Sequence, residues 1–193
     1  MKKVLSVGGI NSAIRSMVRQ IGTYHEDVIT FVILLKGGIF VGSDILKHFM
    51  GCGPIDCRNR DLVIGFLGLS SYHNGTESSS KIKLTYPLDL PKEFISGKNI
   101  WVIDDIFDSG LTLMEAKKIV KSMGAKSVKT AVLVRKMKPR IKSWKSEEDL
   151  PDVVGFEYPS DGFLVGFGMG AGEKYRGLNQ LYELEPHEIR TEA

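Results

Sequence analysis

The chain has 193 residues, 42% of them apolar and 25% charged, which suffices for one domain with a full hydrophobic core and excludes a fibre or a disordered chain. A net charge of +3, from 26 basic and 23 acidic residues, is too slight to point to nucleic acid, and the basic residues between Lys117 and Lys145 are only locally dense. Two cysteines, Cys52 and Cys57, make neither a disulfide framework nor a zinc site; Lys2-Lys3 lead into no secretory h-region and no run reaches membrane-spanning length, so a cytoplasmic protein with no membrane partner is expected.

In chain order, Ile14, Met17, Val18 and Ile21 carry the spacing of an amphipathic helix, with Asn11 or Ser12 as its cap. The run from Ile29 to Leu35 is apolar and β-rich, as suits a strand covered on both faces. Lys36-Gly37-Gly38 then opens a second helical pattern through Ile39, Val41, Ile45, Leu46 and Phe49. A Gly-Gly pair is usually only a turn, but after a central strand and beside a cation it also exposes backbone N–H groups to an anion. Two extended stretches, Leu62 to Leu67 and Lys81 to Tyr86, flank a polar insert from Ser70 to Ser80 that contains the turn signal Asn74-Gly75. Its length favours a functional loop over a plain hairpin tip.

The most informative stretch is Asn99-Ile100-Trp101-Val102-Ile103-Asp104-Asp105-Ile106-Phe107-Asp108-Ser109-Gly110-Leu111-Thr112. It reads as a buried strand that stops at a loop opening a helix, whose stripe is Leu113, Ala116, Val120 and Met123 and whose end is Gly124. Backbone N–H groups from Asp108 to Thr112 can converge on a phosphate at the helix start, where the macrodipole favours negative charge. Asp104 and Asp105 alternate in direction on an extended segment, and beside a phosphate each requires a metal ion or ribose hydroxyls. A helix capped by Asp108 or Ser109 is the commoner reading of Asp-Ser-Gly alone, yet it leaves the paired acids without a role. Ser127 to Val134 supplies the next strand, and the alternation of strands and helices predicts a parallel sheet with its ligand at the carboxyl edge.

The segment Val102 to Thr112 resembles the phosphoribosyl pyrophosphate (PRPP) motif of type I phosphoribosyltransferases, two acids followed by Asp-Ser/Thr-Gly-x-Thr. No G-x-G-x-x-G or G-K-[ST] signature competes with it. Leu35-Lys36-Gly37-Gly38 is similar to the pyrophosphate loop of the purine enzymes. Three later segments, Val153 to Pro159, Phe163 to Phe167 and Glu173 to Asn179, resemble in order the D-F-x-G-F-x-I-P, F-V-V-G-Y and Y-x-R-x-L-N segments of the hypoxanthine-guanine phosphoribosyltransferases.

The resemblance implies an α/β, type I phosphoribosyltransferase fold, a central mainly parallel sheet flanked by helices, with a small hood and a flexible loop. One domain would span residues 1–193, its core about 8–150 and its base-recognition hood mainly 151–193. The implied reaction is transfer of phosphoribosyl from PRPP to N9 of a 6-oxopurine, with pyrophosphate released. Asp108 would be the general base; Asp104, Asp105, Asp108, Ser109, Gly110, Leu111 and Thr112 would hold the ribose and 5′-phosphate; Leu35, Lys36, Gly37 and Arg176 the pyrophosphate. The peptide between Leu35 and Lys36 would be cis, and Ser71-Tyr72 would belong to a loop that closes over the site. Phe163 would stack on the base and the Leu164 backbone would bond its edge; as an alternative, Phe163 is a core aromatic.

Two departures from the family pattern stand out. Arg135 falls on the position of the lysine that meets the 6-oxo group, with Lys136 next, and register favours Arg135. Gly170 stands where the family has an acid that helps hold a second magnesium, so Mg2+ would be held chiefly through PRPP, Asp104 and Asp105, with Glu173 a possible substitute. A homodimer or homotetramer is implied. The rivals are a transferase for another base, a PRPP-binding regulator that binds nucleic acid, and an inactive structural homologue.

Overall fold

The computed structural model describes residues 1–23, 28–52, 61–72, 81–139 and 142–189. Its core is a six-stranded sheet in the order β4-β3-β2-β5-β6-β7. The strands are β2 (Val28–Leu35), β3 (Asp61–Tyr72), β4 (Lys81–Tyr86), β5 (Asn99–Phe107), β6 (Ser127–Lys136) and β7 (Val153–Tyr158). All neighbours pair in parallel except the edge strand β4, which runs antiparallel to β3. The mainly parallel sheet expected from the alternating pattern is present.

Period-2 alternation divides the buried residues between two layers. Phe31, Ile33, Trp101, Ile103, Ala131 and Leu133 face one way, onto helices α1 (Val7–Gly22) and α2 (Gly38–Lys47). Val32, Leu34, Ile100, Val102 and Val132 face the other, onto Leu113, Ala116 and Val120 of α3 (Leu111–Ser122). Each fully buried aliphatic side chain contributes about 1.5–3 kcal/mol relative to leaving it exposed. Both layers are therefore needed to hold β2 and β5 side by side.

Helix α1 begins earlier than the sequence predicts. Ser6, in extended conformation, caps it by accepting from Gly9 N at 3.2 Å, and the buried stripe runs from Ile10 through Ile14, Met17 and Val18 to Ile21. Asn11 and Ser12 lie inside the helix instead of capping it. Gly8-Gly9 obscured the start, because glycine is a poor helix former and erases the apolar stripe over that first turn.

A second, three-stranded antiparallel sheet in the order β1-β9-β8 stands beside the carboxyl edge of the first. It consists of β1 (Lys2–Leu5), β8 (Phe163–Val165) and β9 (Leu181–Leu184). The hood thus borrows a strand from the N-terminus, while β7 joins the central sheet. A short helix α4 (Pro186–Ile189) follows β9. Among the described residues no helix is long and apolar enough to cross a membrane.

Candidate active site

The carboxyl ends of β2, β5 and β6, the start of α3 and the edge of β8 enclose a cleft of about 560 Å³, within the size range of small-molecule sites. Its floor is the loop between β5 and α3. Gly110 there has φ +83°, a left-handed conformation that glycine adopts without steric cost, and it turns the chain into α3. No side chain caps α3: Asp108 does not, and Ser109 Oγ stands 3.5 Å from Leu111 N, at the limit of a hydrogen bond. Intrahelical bonding starts at Met114 N, which donates to the Gly110 carbonyl. The reading of Asp-Ser-Gly as an ordinary capped helix is thus set aside. The first N–H groups of the helix are left without a side-chain acceptor that spans them, as suits an anion, and Asp108, Ser109, Gly110 and Thr112 all line the cleft.

At the end of β5 the carboxylates of Asp104 and Asp105 are buried. Asp104 Oδ1 accepts from Asp105 N at 2.9 Å, and Asp105 Oδ1 accepts from Ile106 N at 2.8 Å. Burial, reinforced by the Asp105 charge, pushes the Asp104 carboxyl well above the ordinary carboxylate range. Asp105 is pushed up by burial as well, opposed by its hydrogen bonds and by the Arg176 guanidinium. The two carboxyls, on adjacent residues, lie close enough for the Asp105 charge to act on the ionisation of Asp104. Two buried acids held against their ionisation form a site that gains from hydroxyl donors or a cation.

The same pair explains the Gly-Gly that follows β2. A Cβ on Gly37 would run into the Asp105 carboxylate, and one on Gly38 would lie 2.9 Å from the Ile103 carbonyl. The Leu35-Lys36 peptide is cis, as the resemblance implies. Lys36 Nζ donates to Glu173 at 2.9 Å, which holds Glu173 below its usual range, and Arg176 Nε lies 3.7 Å from the same carboxylate. Arg176 also donates to the Gly168 carbonyl at 2.8 Å, while its buried Nε lacks a hydrogen-bond acceptor among the described residues. Gly168, at φ +98°, comes so close to the Gly37 carbonyl that no Cβ would fit. Lys36, Gly37, Gly170 and Arg176 meet along one wall of the cleft.

Gly170 is more than a missing acid. A Cβ there would lie 2.9 Å from Arg176 Cγ and 3.0 Å from its Nε, so the arginine occupies the space a side chain would need. Glu173 does not replace the acid: it is exposed and engaged with Lys36 and Arg176. The residues present therefore do not fit a second metal ion on this wall. Among the described residues no three His, Cys, Asp or Glu side chains are grouped as metal ligands.

At the opposite end Phe163 and Leu164 line the cleft. Phe163 is 38% exposed, which excludes the reading as a core aromatic. The register expectation for the cation is corrected. Lys136, only 6% exposed, enters the cleft and donates to Asp108 Oδ2 at 2.6 Å, whereas Arg135 lies alongside Glu157 at 3.7 Å and does not line it. The cause is strand alternation: β6 runs on to Lys136, which shares the face of Val132, while Arg135 sits directly opposite Glu157 of β7. Asp161 and Met169, which no motif singles out, also line the cleft, as does Ser70 at the start of the polar insert. Ser71 and Tyr72 end β3 opposite Ile82 and Lys81; the loop expected to close over the site, residues 73–80, lies outside the described residues, as does Cys57.

Residues 4–170 match the phosphoribosyl transferase domain family. The chain is 33% identical to the hypoxanthine-guanine phosphoribosyltransferase of Bacillus subtilis (strain 168), over 96% of this chain and 93% of that one. The chain belongs to the hypoxanthine-guanine phosphoribosyltransferase family. The Homo sapiens member is 32% identical over 86% of this chain and 71% of its own length. A crystal structure of a hypoxanthine-guanine phosphoribosyltransferase from Bacillus anthracis superposes with a TM-score of 0.78 at 30% identity, covering 96% of this chain and 99% of the other.

Proposed function

We propose that this chain is a purine-salvage phosphoribosyltransferase, transferring the phosphoribosyl group of PRPP to N9 of hypoxanthine or guanine and releasing pyrophosphate. The observation that carries this is the convergence, in one cleft, of an uncapped helix start, two buried acids and three cations, Lys36, Lys136 and Arg176. The N–H groups of the loop from Asp108 to Thr112 receive the 5′-phosphate, and the Asp104 and Asp105 carboxylates accept from the ribose hydroxyls. Lys36, the Gly37 backbone and Arg176 stabilise the departing pyrophosphate as positive charge develops on the sugar. Phe163 offers a stacking face, the Leu164 backbone meets the base edge, and Lys136 donates to the 6-oxo group.

Asp108 stands between the phosphate loop and Lys136, where its carboxylate can take the proton from the purine nitrogen as the new bond forms. Its Lys136 ion pair orients it for that role and couples recognition of the base to proton transfer. Two buried carboxylates are too few for a complete protein cage, but they suit a Mg2+ ion that takes most of its ligands from PRPP and would help neutralise the leaving group. The ordinary setting would be the cytoplasm, and the active form a homodimer or homotetramer.

Pyrophosphate release from PRPP, measured with hypoxanthine, guanine, xanthine, adenine and uracil in turn and with and without Mg2+, tests the assignment. Release with the 6-oxopurines is expected. Release only with uracil or adenine, or none with any base, would overturn it.

A further inference from the structure

Within the phosphate loop the restraint is slight: Ser109 Oγ accepts from Leu111 N at 3.5 Å, at the limit of a hydrogen bond. The turn at Gly110 has no side-chain cap, and glycine loses more backbone freedom on ordering than any other residue. Further restraint comes from outside. The segment between β6 and β7 folds back over the loop, and Ser143 N donates to the Ser109 carbonyl at 3.0 Å. The Trp144 ring then lies on the Phe107 ring, centroids 4.9 Å apart and tilted by 50°. A Cβ on Gly110 would find Phe107 Cζ at 3.0 Å and Trp144 Cε3 at 3.3 Å. Gly110 is thus bounded by two aromatic rings at the residue where the chain turns into α3. Lys142 Nζ covers the Trp144 ring at 5.1 Å from its centroid, a cation–π contact that helps hold the indole down. Phe107 and Gly110 line the cleft, but Trp144 does not.

We propose that Trp144 is a positioning residue for the phosphate loop: with Phe107 it clamps Gly110 in the conformation whose N–H groups face a phosphate monoester, and it senses whether that cradle is filled. The inference rests on the functional reading above. A loop ordered in advance does not have to be ordered by its ligand, so loss of the clamp weakens binding of every phosphate-bearing ligand while leaving the chemistry at the base end untouched. The effect falls on KM for PRPP and on the Kd of a nucleoside 5′-monophosphate, not on KM for the base.

Titration of the full chain with guanosine 5′-monophosphate and with PRPP provides the test. Trp144→Ala is expected to raise both constants about tenfold, the scale of a lost aromatic pair, with kcat at saturation within about threefold of the parent. Trp144→Phe, which keeps a ring on Gly110, is expected to recover most of the affinity. Because the chain has two tryptophans, Trp101→Phe leaves Trp144 as the sole indole. Its emission should change on adding guanosine 5′-monophosphate and stay constant on adding guanosine, which lacks the phosphate. This arm decides the matter even if Trp144→Ala fails to fold. Unchanged PRPP and monophosphate affinity in Trp144→Ala, or an indole that ignores the monophosphate while the protein binds it, would overturn the proposal. A parent protein that binds neither PRPP nor the monophosphate would instead remove the functional reading, and this inference with it.

Discussion

Two walls of the cleft, each proposed to bind an anion, are built from opposite materials. The loop from Asp108 to Thr112 is one contiguous segment that would bind through its backbone, at a helix start left without a side-chain cap. The wall of Lys36, Gly37, Gly170 and Arg176 joins distant segments, and its Lys36–Glu173 ion pair links residues 137 apart in sequence. There the groups offered are side-chain cations, brought together because Gly37, Gly168 and Gly170 leave out side chains that would collide. A backbone cradle depends on one turn, whereas a convergent wall depends on every pair of surfaces that meet in it. The first should tolerate changes of its own side chains and fail with its turn. The second should be sensitive to any added Cβ.

The largest effect is expected at Asp108, where the backbone cradle begins. Asp108→Asn should lower kcat by about 10²–10⁴ while leaving PRPP affinity nearly unchanged, as single-turnover assays would show, because it removes the proton acceptor and keeps the shape. Full turnover in this variant would take the base role from Asp108. Next comes Gly37→Ala, whose methyl runs into the buried Asp105 carboxylate. An affinity loss of about 10²-fold for pyrophosphate, read by calorimetry, is expected, since either the buried Asp105 carboxylate, which accepts from Ile106 N, or the loop itself has to shift. Gly170→Asp should weaken pyrophosphate binding about tenfold by displacing the Arg176 side chain, and should not raise the number of Mn2+ ions bound, counted by electron paramagnetic resonance in the presence of pyrophosphate. Tighter binding with an additional ion would show that the acid, not the arginine, suits this wall.

A smaller effect concerns stability. The Asp104 pKa is raised in the folded chain, chiefly by burial, so folding binds protons and the ligand-free fold loses stability as pH rises from the unfolded carboxylate range to the folded pKa. Asp104→Asn should therefore match the parent in Tm at pH about 3.5, near the unfolded carboxylate value, and exceed it increasingly as pH rises, by about 2–4 °C for each kcal/mol recovered. It should bind PRPP poorly at every pH. A Tm advantage that shrinks with rising pH would contradict the assigned shift. The smallest effect is expected at Glu173→Gln, which breaks only exposed ion pairs to Lys36 and Arg176 and should change Tm by less than about 1 °C.

What was legible in the sequence follows the same division. The β5–α3 junction could be read because its apolar run, acids, glycine and hydroxyls are consecutive, and the parallel sheet because β2 and β5 are apolar on both faces. Lys36-Gly37-Gly38 was legible as an anion loop only beside that junction. The reason for its glycines, the Asp105 carboxylate packed against Gly37, is a tertiary contact that leaves no local trace. Aligning the chain on the family's lysine favours Arg135, but β6 runs on to Lys136, and a one-residue difference in register exchanges the two faces of a strand. Ser6 was hidden by the glycines that follow it, and Trp144 by standing alone among lysines in a segment without periodicity.

The central claim is that residues 104–112 form a cup for a phosphorylated ribose, and a crystal structure of the chain with guanosine 5′-monophosphate tests it most directly. The phosphate is expected on the backbone N–H groups between Ser109 and Thr112, the ribose hydroxyls on Asp104 and Asp105, and the purine between Phe163 and Lys136. A nucleotide bound elsewhere, with that loop empty, would contradict the assignment of the site.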